Sequence, residues 1–205
     1  MPYVWIVASL VLAGVLLVSV AGAVTTRDAW RGFVASAAHL TGRDEPTARP
    51  LARLAVTLET AGIVGLLAPV LVLVLGRAGP AGTSRVAPPA LVLASASATG
   101  VGALLVVFTV VLARARSTSP GTACHCLGPS TAPVASRHLA RNVVLVGVAV
   151  VAGVVPWTVR GDPPGGSTAP SPDPAGVLLG AVVAAVVVAL VAHLDDLAAL
   201  APPRS

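Results

Sequence analysis

Five apolar runs, each near the length that crosses a bilayer, constrain this chain more than any other feature. A hydrocarbon core of about 30 Å takes roughly 20 helical residues, because no water is there to satisfy a free backbone amide or carbonyl. Residues 4–24 are uninterrupted; residues 51–75 carry one acid, Glu59, and a kink expected at Pro69; residues 90–113 are apolar with small residues throughout. Residues 139–159 and 176–193 are the shorter runs, one interrupted by Pro156 and the other closely followed by Asp195 and Asp196. The expected fold is all-α, a multi-pass transmembrane helical bundle with four core spans plus a fifth, in contact with the lipid bilayer. Composition agrees, since 56% hydrophobic and 10% charged residues lie far outside soluble averages.

The net charge of +5 does not point to nucleic acid. All thirteen basic residues are arginines, and they flank the apolar runs instead of forming one basic stripe. With five crossings, Arg27, Arg31, Arg43, Arg49, Arg53, Arg114, Arg116, Arg137, Arg141 and Arg204 share one side, against Arg77, Arg85 and Arg160 on the other. The positive-inside rule makes the ten-arginine side cytoplasmic. An all-arginine chain rich in Ala, Val, Gly and Pro suits a GC-rich bacterial genome, so a bacterial inner membrane is the expected location. The amino end, Met1-Pro2-Tyr3, has no positive charge, and its apolar run exceeds a usual signal core, which favours a retained first span over a cleaved leader.

Between the runs, residues 25–50 place apolar side chains at near-helical spacing around Asp28, Trp30, Arg31 and Phe33, as a short interfacial helix would. Residues 76–89 and 161–174 are Gly/Pro-rich connectors without chemistry. The organisation expected is a four-helix membrane domain over 1–160 with a Cys-x-Cys loop at 114–138, a linker over 161–174, and a fifth membrane helix with a short polar tail over 175–205.

The chain's two cysteines, Cys124 and Cys126, lie in that loop within Gly121-Thr122-Ala123-Cys124-His125-Cys126-Leu127-Gly128-Pro129. Residues two apart on an extended chain face the same way, a separation compatible with a strained disulfide. Closing so small a ring removes little unfolded-state entropy, about 2 kcal/mol or less, so the bond suits exchange better than stapling. His125 between the thiols, with Arg114 and Arg116 upstream, favours the thiolate that attacks a partner disulfide. Two free thiols, a redox pair and a metal site with His138 all remain open from spacing alone, although neighbouring Cys-His-Cys ligands cannot easily reach one tetrahedral copper or zinc ion. His39, His138 and His193 have no ligand spacing and read as interfacial polar residues.

Glu59 is the other departure from an apolar pattern. A carboxyl group inside a span costs about 2.5–3.5 kcal/mol at mid-membrane and usually faces the bundle interior, where it holds helices together. Arg141 and Asn142, at the start of the fourth span, enter from the same side and are the partners expected for it.

These residues resemble the MauE family of membrane proteins, relatives of DoxX-like proteins. The carriers are the Cys-His-Cys-Leu-Gly run and the later Arg141-Asn142, where the family has Cys-Gly-Cys-Phe-Gly and then Arg-Asn. Arg27-Asp28, Gly32-Phe33 and Glu59 also match, so the likeness covers roughly residues 4–160. His125 and Leu127 depart from the motif, as does Thr25-Thr26 where a lysine often ends the first span. Cys124, Cys126, Gly128, Glu59, Arg141 and Asn142 carry over from the family pattern, and His125 does not.

The resemblance implies maturation, processing or transport of the disulfide-rich light subunit of methylamine dehydrogenase alongside a thioredoxin-like partner. It raises redox chemistry above metal handling. The expected function is thiol-disulfide exchange with a thioredoxin-like protein, with Cys124 and Cys126 as the redox pair. Quinone as an electron acceptor has no motif of its own here, because quinone-linked oxidoreductases often carry a second cysteine pair. The rival readings are a non-enzymatic assembly or transport factor and a copper- or zinc-handling membrane protein. An external loop would suit maturation of secreted disulfide proteins, against the side that the arginines assign to it.

Overall fold

A computed structural model describes residues 2–75, 88–118, 136–158 and 173–193. The described residues form six helices and no strand: α1 (Pro2–Val24), α2 (Arg27–Thr41), α3 (Glu45–Leu75), α4 (Pro88–Thr118), α5 (Ser136–Thr158) and α6 (Pro174–Ala192). Four of them, α1, α3, α4 and α6, are long and apolar enough to cross a membrane, and α5 adds a shorter apolar stretch, Leu139–Val154. The chain is a multi-pass helical membrane bundle.

Helix contacts fix the arrangement. α1 packs against α3, α5 and α6, and α4 packs against α3 and α5, so α1, α3, α4 and α5 form a ring with α3 and α5 on one diagonal. Gly62 of α3 faces Val101 of α4, and Gly65 faces Ser97, which makes the two helices antiparallel. Gly102 of α4 faces Ala149 of α5 and Gly153 faces Ala98, again antiparallel. On α6, Gly176 lies under the Tyr3 ring, Gly180 meets Val7 and Val188 meets Gly14, so α6 runs parallel to α1 along its outer side. The backbone N–H of Asp173 donates to the Tyr3 hydroxyl at 2.8 Å, tying the start of α6 to the start of α1. With α1 and α6 parallel and α3, α4 and α5 alternating in direction between them, the chain runs along the bundle five times.

The outside of the bundle is apolar as well as the inside, unlike that of a water-soluble bundle. The interior mixes small and large apolar residues, with Ala98, Ala152, Leu12 and Leu66 fully buried, while Leu17, Val64, Val144 and Leu178 stand exposed on the outside. In lipid the tails solvate leucine and valine as well as a protein core does, so helices associate through close backbone approach at small residues. Gly176, Gly180 and Ala184, spaced four apart, are that device on α6.

α2 is the amphipathic exception. Thr26 caps it, accepting from the Ala29 N–H at 3.0 Å, and Gly42 ends it at φ 65°, with Arg43 N–H reaching the Ala38 carbonyl at 3.1 Å. Phe33 and Val34 of its apolar face pack with Ala23 of α1 and with Ala48 and Ala52 of α3. A short helix was expected within residues 25–50, and α2 is that helix, with its apolar face on α1 and α3. Because nothing stands within 4 Å of a side chain added at Gly42, substitution there tests the backbone alone. Gly42→Ala is expected to cost about 1 kcal/mol, read as earlier loss of helix on titration with a denaturing detergent. A loss below a few tenths of that would mean that the left-handed cap does not form.

Two helices exceed their expected spans. α3 begins at Glu45, six residues before the apolar run, because its first turns pack through Ala48 and Ala52 on α2, and Pro46 near the helix start needs no N–H acceptor. α4 runs on to Thr118, carrying Arg114 and Arg116 on its last turns, where cations complement the carbonyl end of a helix and can reach the headgroups.

Candidate functional site

Helices α4 and α5 are the most extensively packed pair in the bundle. Their close contact comes from Gly102 against Ala149, where an added side chain would stand 3.3 Å from the alanine methyl. The chain that joins the two helices, 119–135, contains Cys124, His125, Cys126 and Gly128 and lies outside the described residues. The helix ends that deliver it share one face of the bundle with α2, the start of α3 and the end of α6.

Beneath that face two buried polar residues stand out. Glu59 on α3 is only 3% exposed and Asn142 on α5 only 4%, while Arg141 is half-buried. The Ser19 hydroxyl of α1 hydrogen-bonds the Glu59 carboxyl group. Ser19 was not singled out by sequence, since its index is far from Glu59 and serine is unremarkable in a small-residue helix. The antiparallel register explains the meeting: Leu16 of α1 lies beside Gly62 of α3, which brings Ser19 near the level of Glu59 one turn closer to the loop face.

The same register separates Glu59 from the residues expected to pair with it. The Gly62–Val101 and Gly65–Ser97 contacts set Glu59 level with Ala103 or Leu104 of α4, whereas Gly102–Ala149 and Gly153–Ala98 set Asn142 level with Thr109. At 1.5 Å per residue, Asn142 sits about 8 Å nearer the loop than Glu59. α3 and α5 are also diagonal, not adjacent. Glu59 therefore belongs to the α1–α3 seam, and Asn142 and Arg141 to the root of the cysteine loop.

Other buried polar atoms sit toward the opposite face. Trp5 Nε1, Ser9 Oγ and Ser95 Oγ have no hydrogen-bond partner among the described residues. Register through α3 places Ser9 and Ser95 at about the same depth. Serine and tryptophan at these positions carry no sequence signal apart from their neighbours, so only the packing brings them out.

Among the described residues no three His, Cys, Asp or Glu side chains gather as metal ligands, and Cys124, His125, Cys126 and the His138 side chain fall outside what is described. A family model described as Methylamine utilisation protein MauE matches residues 1–155, which takes in α1 to α4 and nearly all of α5 and leaves α6 outside. No curated protein and no solved structure matches the chain.

Proposed function

Because the chain belongs to the MauE family of membrane proteins, we propose that it is a thiol-disulfide redox partner of a thioredoxin-like protein, acting in the maturation of a disulfide-containing substrate at the cell membrane. The observation that carries the reading is the placement of the Cys-His-Cys run: it joins the two helices with the most extensive mutual packing, and Arg141 and Asn142 stand at its root. With a single residue between them, Cys124 and Cys126 stay close to each other along the chain whatever its conformation.

The exchange balances with the chain's own dithiol. The thiolate of one cysteine attacks a sulfur of the partner disulfide, forming a mixed disulfide and releasing one partner thiolate. The second cysteine then attacks the mixed disulfide, forming the Cys124–Cys126 bond and releasing the second partner thiol. Two electrons pass from this chain to the partner, and the reverse sequence oxidises the partner. His125 and the arginines at the end of α4 favour the attacking thiolate. Glu59 with Ser19, and Arg141 with Asn142, hold the helices beneath the loop.

Trapping tests this directly. With Cys126→Ser or Cys124→Ser, the variant lacking its resolving thiol is expected to accumulate a mixed disulfide visible as a larger species on a non-reducing gel. The double variant is expected to lose it. If both single variants trap no more than the intact chain, the exchange reading fails and a non-enzymatic assembly role takes its place.

A further inference from the structure

A cavity of about 540 Å³ opens on the loop face between the end of α1, the start of α2 and the start of α3. Its charged lining is Arg27 and Arg31 from α2, Arg49 and Arg53 from α3, and the single carboxylate Glu45, with Trp30 contributing an aromatic wall. Arg31 also pairs with Asp28 at 3.1 Å, outside the lining. Each arginine pair is spaced i, i+4, so each helix presents both guanidinium groups from one face.

Topology signals alone do not require this convergence. Arginines that merely flank spans can spread around the headgroup region, whereas these four are gathered on one concave surface. The packing that gathers them is specific: Arg49 and Arg53 directly follow Ala48 and Ala52, which are buried against Phe33 and Val34 of α2. Like charges held together repel, and with Arg31 paired to Asp28, one glutamate is left against the three guanidinium groups of Arg27, Arg49 and Arg53. The starts of α2 and α3 both line the cavity, adding the positive ends of two helix dipoles.

We propose that this cavity binds a phosphate-bearing anion, held by Arg27, Arg49 and Arg53 through charge-assisted hydrogen bonds. The planar guanidinium fork suits phosphate oxygens, and a basic pocket between membrane helices at the headgroup level is where an acidic phospholipid presents such a group. A free phosphate compound offers the same chemistry from the aqueous side.

The experiment compares both sources on the full chain. Protein in neutral detergent is titrated with phosphatidylglycerol and followed by native mass spectrometry, and separately with inorganic phosphate followed by calorimetry. Binding of phosphatidylglycerol alone identifies a lipid site, and binding of phosphate as well identifies a site open to soluble anions; either supports the proposal. R49Q/R53Q is expected to weaken binding by about ten-fold or more, as loss of charge-assisted bonds implies. R27Q, on the other helix, provides an independent reading should the double variant not fold. R114Q/R116Q removes the same charge from the same face away from the cavity and is expected to bind as the intact chain does. Equal weakening by R49Q/R53Q and R114Q/R116Q, or no binding of either probe at low salt, overturns the site.

Discussion

Gly65→Leu is expected to open the seam between α3 and α4 and to destabilise the bundle by about 3 kcal/mol or more, read as loss of helix and of compact migration at a lower fraction of denaturing detergent. Even a single methyl group at Gly65 would fall on the Ser97 hydroxyl and within 2.9 Å of Ser97 Cβ. The serine side chain is too short to swing clear, so the backbones must part. In a membrane that separation is expensive, because dispersion contact between close helices replaces the hydrophobic drive available in water. Gly65→Ala is expected to cost about 1–3 kcal/mol, and Ser97→Gly in that background should recover most of it by removing both clashing atoms. Gly100→Ala and Gly147→Ala are the controls. Neither position has an atom within 4 Å of an added side chain, and alanine is the better helix former, so both should be neutral or slightly stabilising. Equal behaviour of Gly65→Ala and Gly100→Ala would mean that α3 and α4 do not approach this closely.

That contrast between glycines also marks how far sequence could be read. The spans, α2 and the all-helical bundle were legible because they depend on local hydrophobicity and spacing, which a bilayer enforces residue by residue. Helix neighbours were not legible. In a chain with 20 glycines and abundant alanine, Gly65 and Gly100 look the same, although one lies under Ser97 and the other meets nothing. Helix ends shifted for a related reason: residues 45–50 are too polar to read as part of a span, yet tertiary contact of Ala48 with α2 keeps them helical. Arg27, Arg31, Arg49 and Arg53 were expected on one side and share one face of the bundle, but their convergence on a common cavity depends on how α2 folds back onto α3. The segment that carries Cys124 and Cys126 lies outside the described residues, and of its surroundings only the flanking helices α4 and α5 are placed.

Ser19→Ala is expected to destabilise the bundle more than removal of the carboxyl group it serves. Glu59 is a buried carboxyl group in a low-dielectric interior, and the Ser19 hydroxyl is the donor the structure gives it. Taking away that donor leaves a polar group that lipid cannot satisfy, at a cost of about 1–2 kcal/mol. Glu59→Leu has a different consequence, because a serine hydroxyl in a helix can turn to the carbonyl one turn back, as Thr60 does with Val56 at 2.8 Å. Replacing the buried carboxyl by a similar apolar volume is therefore expected to change stability by less than about 0.5 kcal/mol or to raise it. The double variant Ser19→Ala, Glu59→Leu should resemble Glu59→Leu, giving a coupling of about 1 kcal/mol or more in a double-mutant cycle. Partner trapping through Cys124 and Cys126 should persist in Glu59→Leu if the carboxyl group serves only the α1–α3 seam. A stable Glu59→Leu variant that no longer traps its partner would instead make Glu59 part of the exchange machinery, acting from about 8 Å deeper than Asn142 by the helical rise.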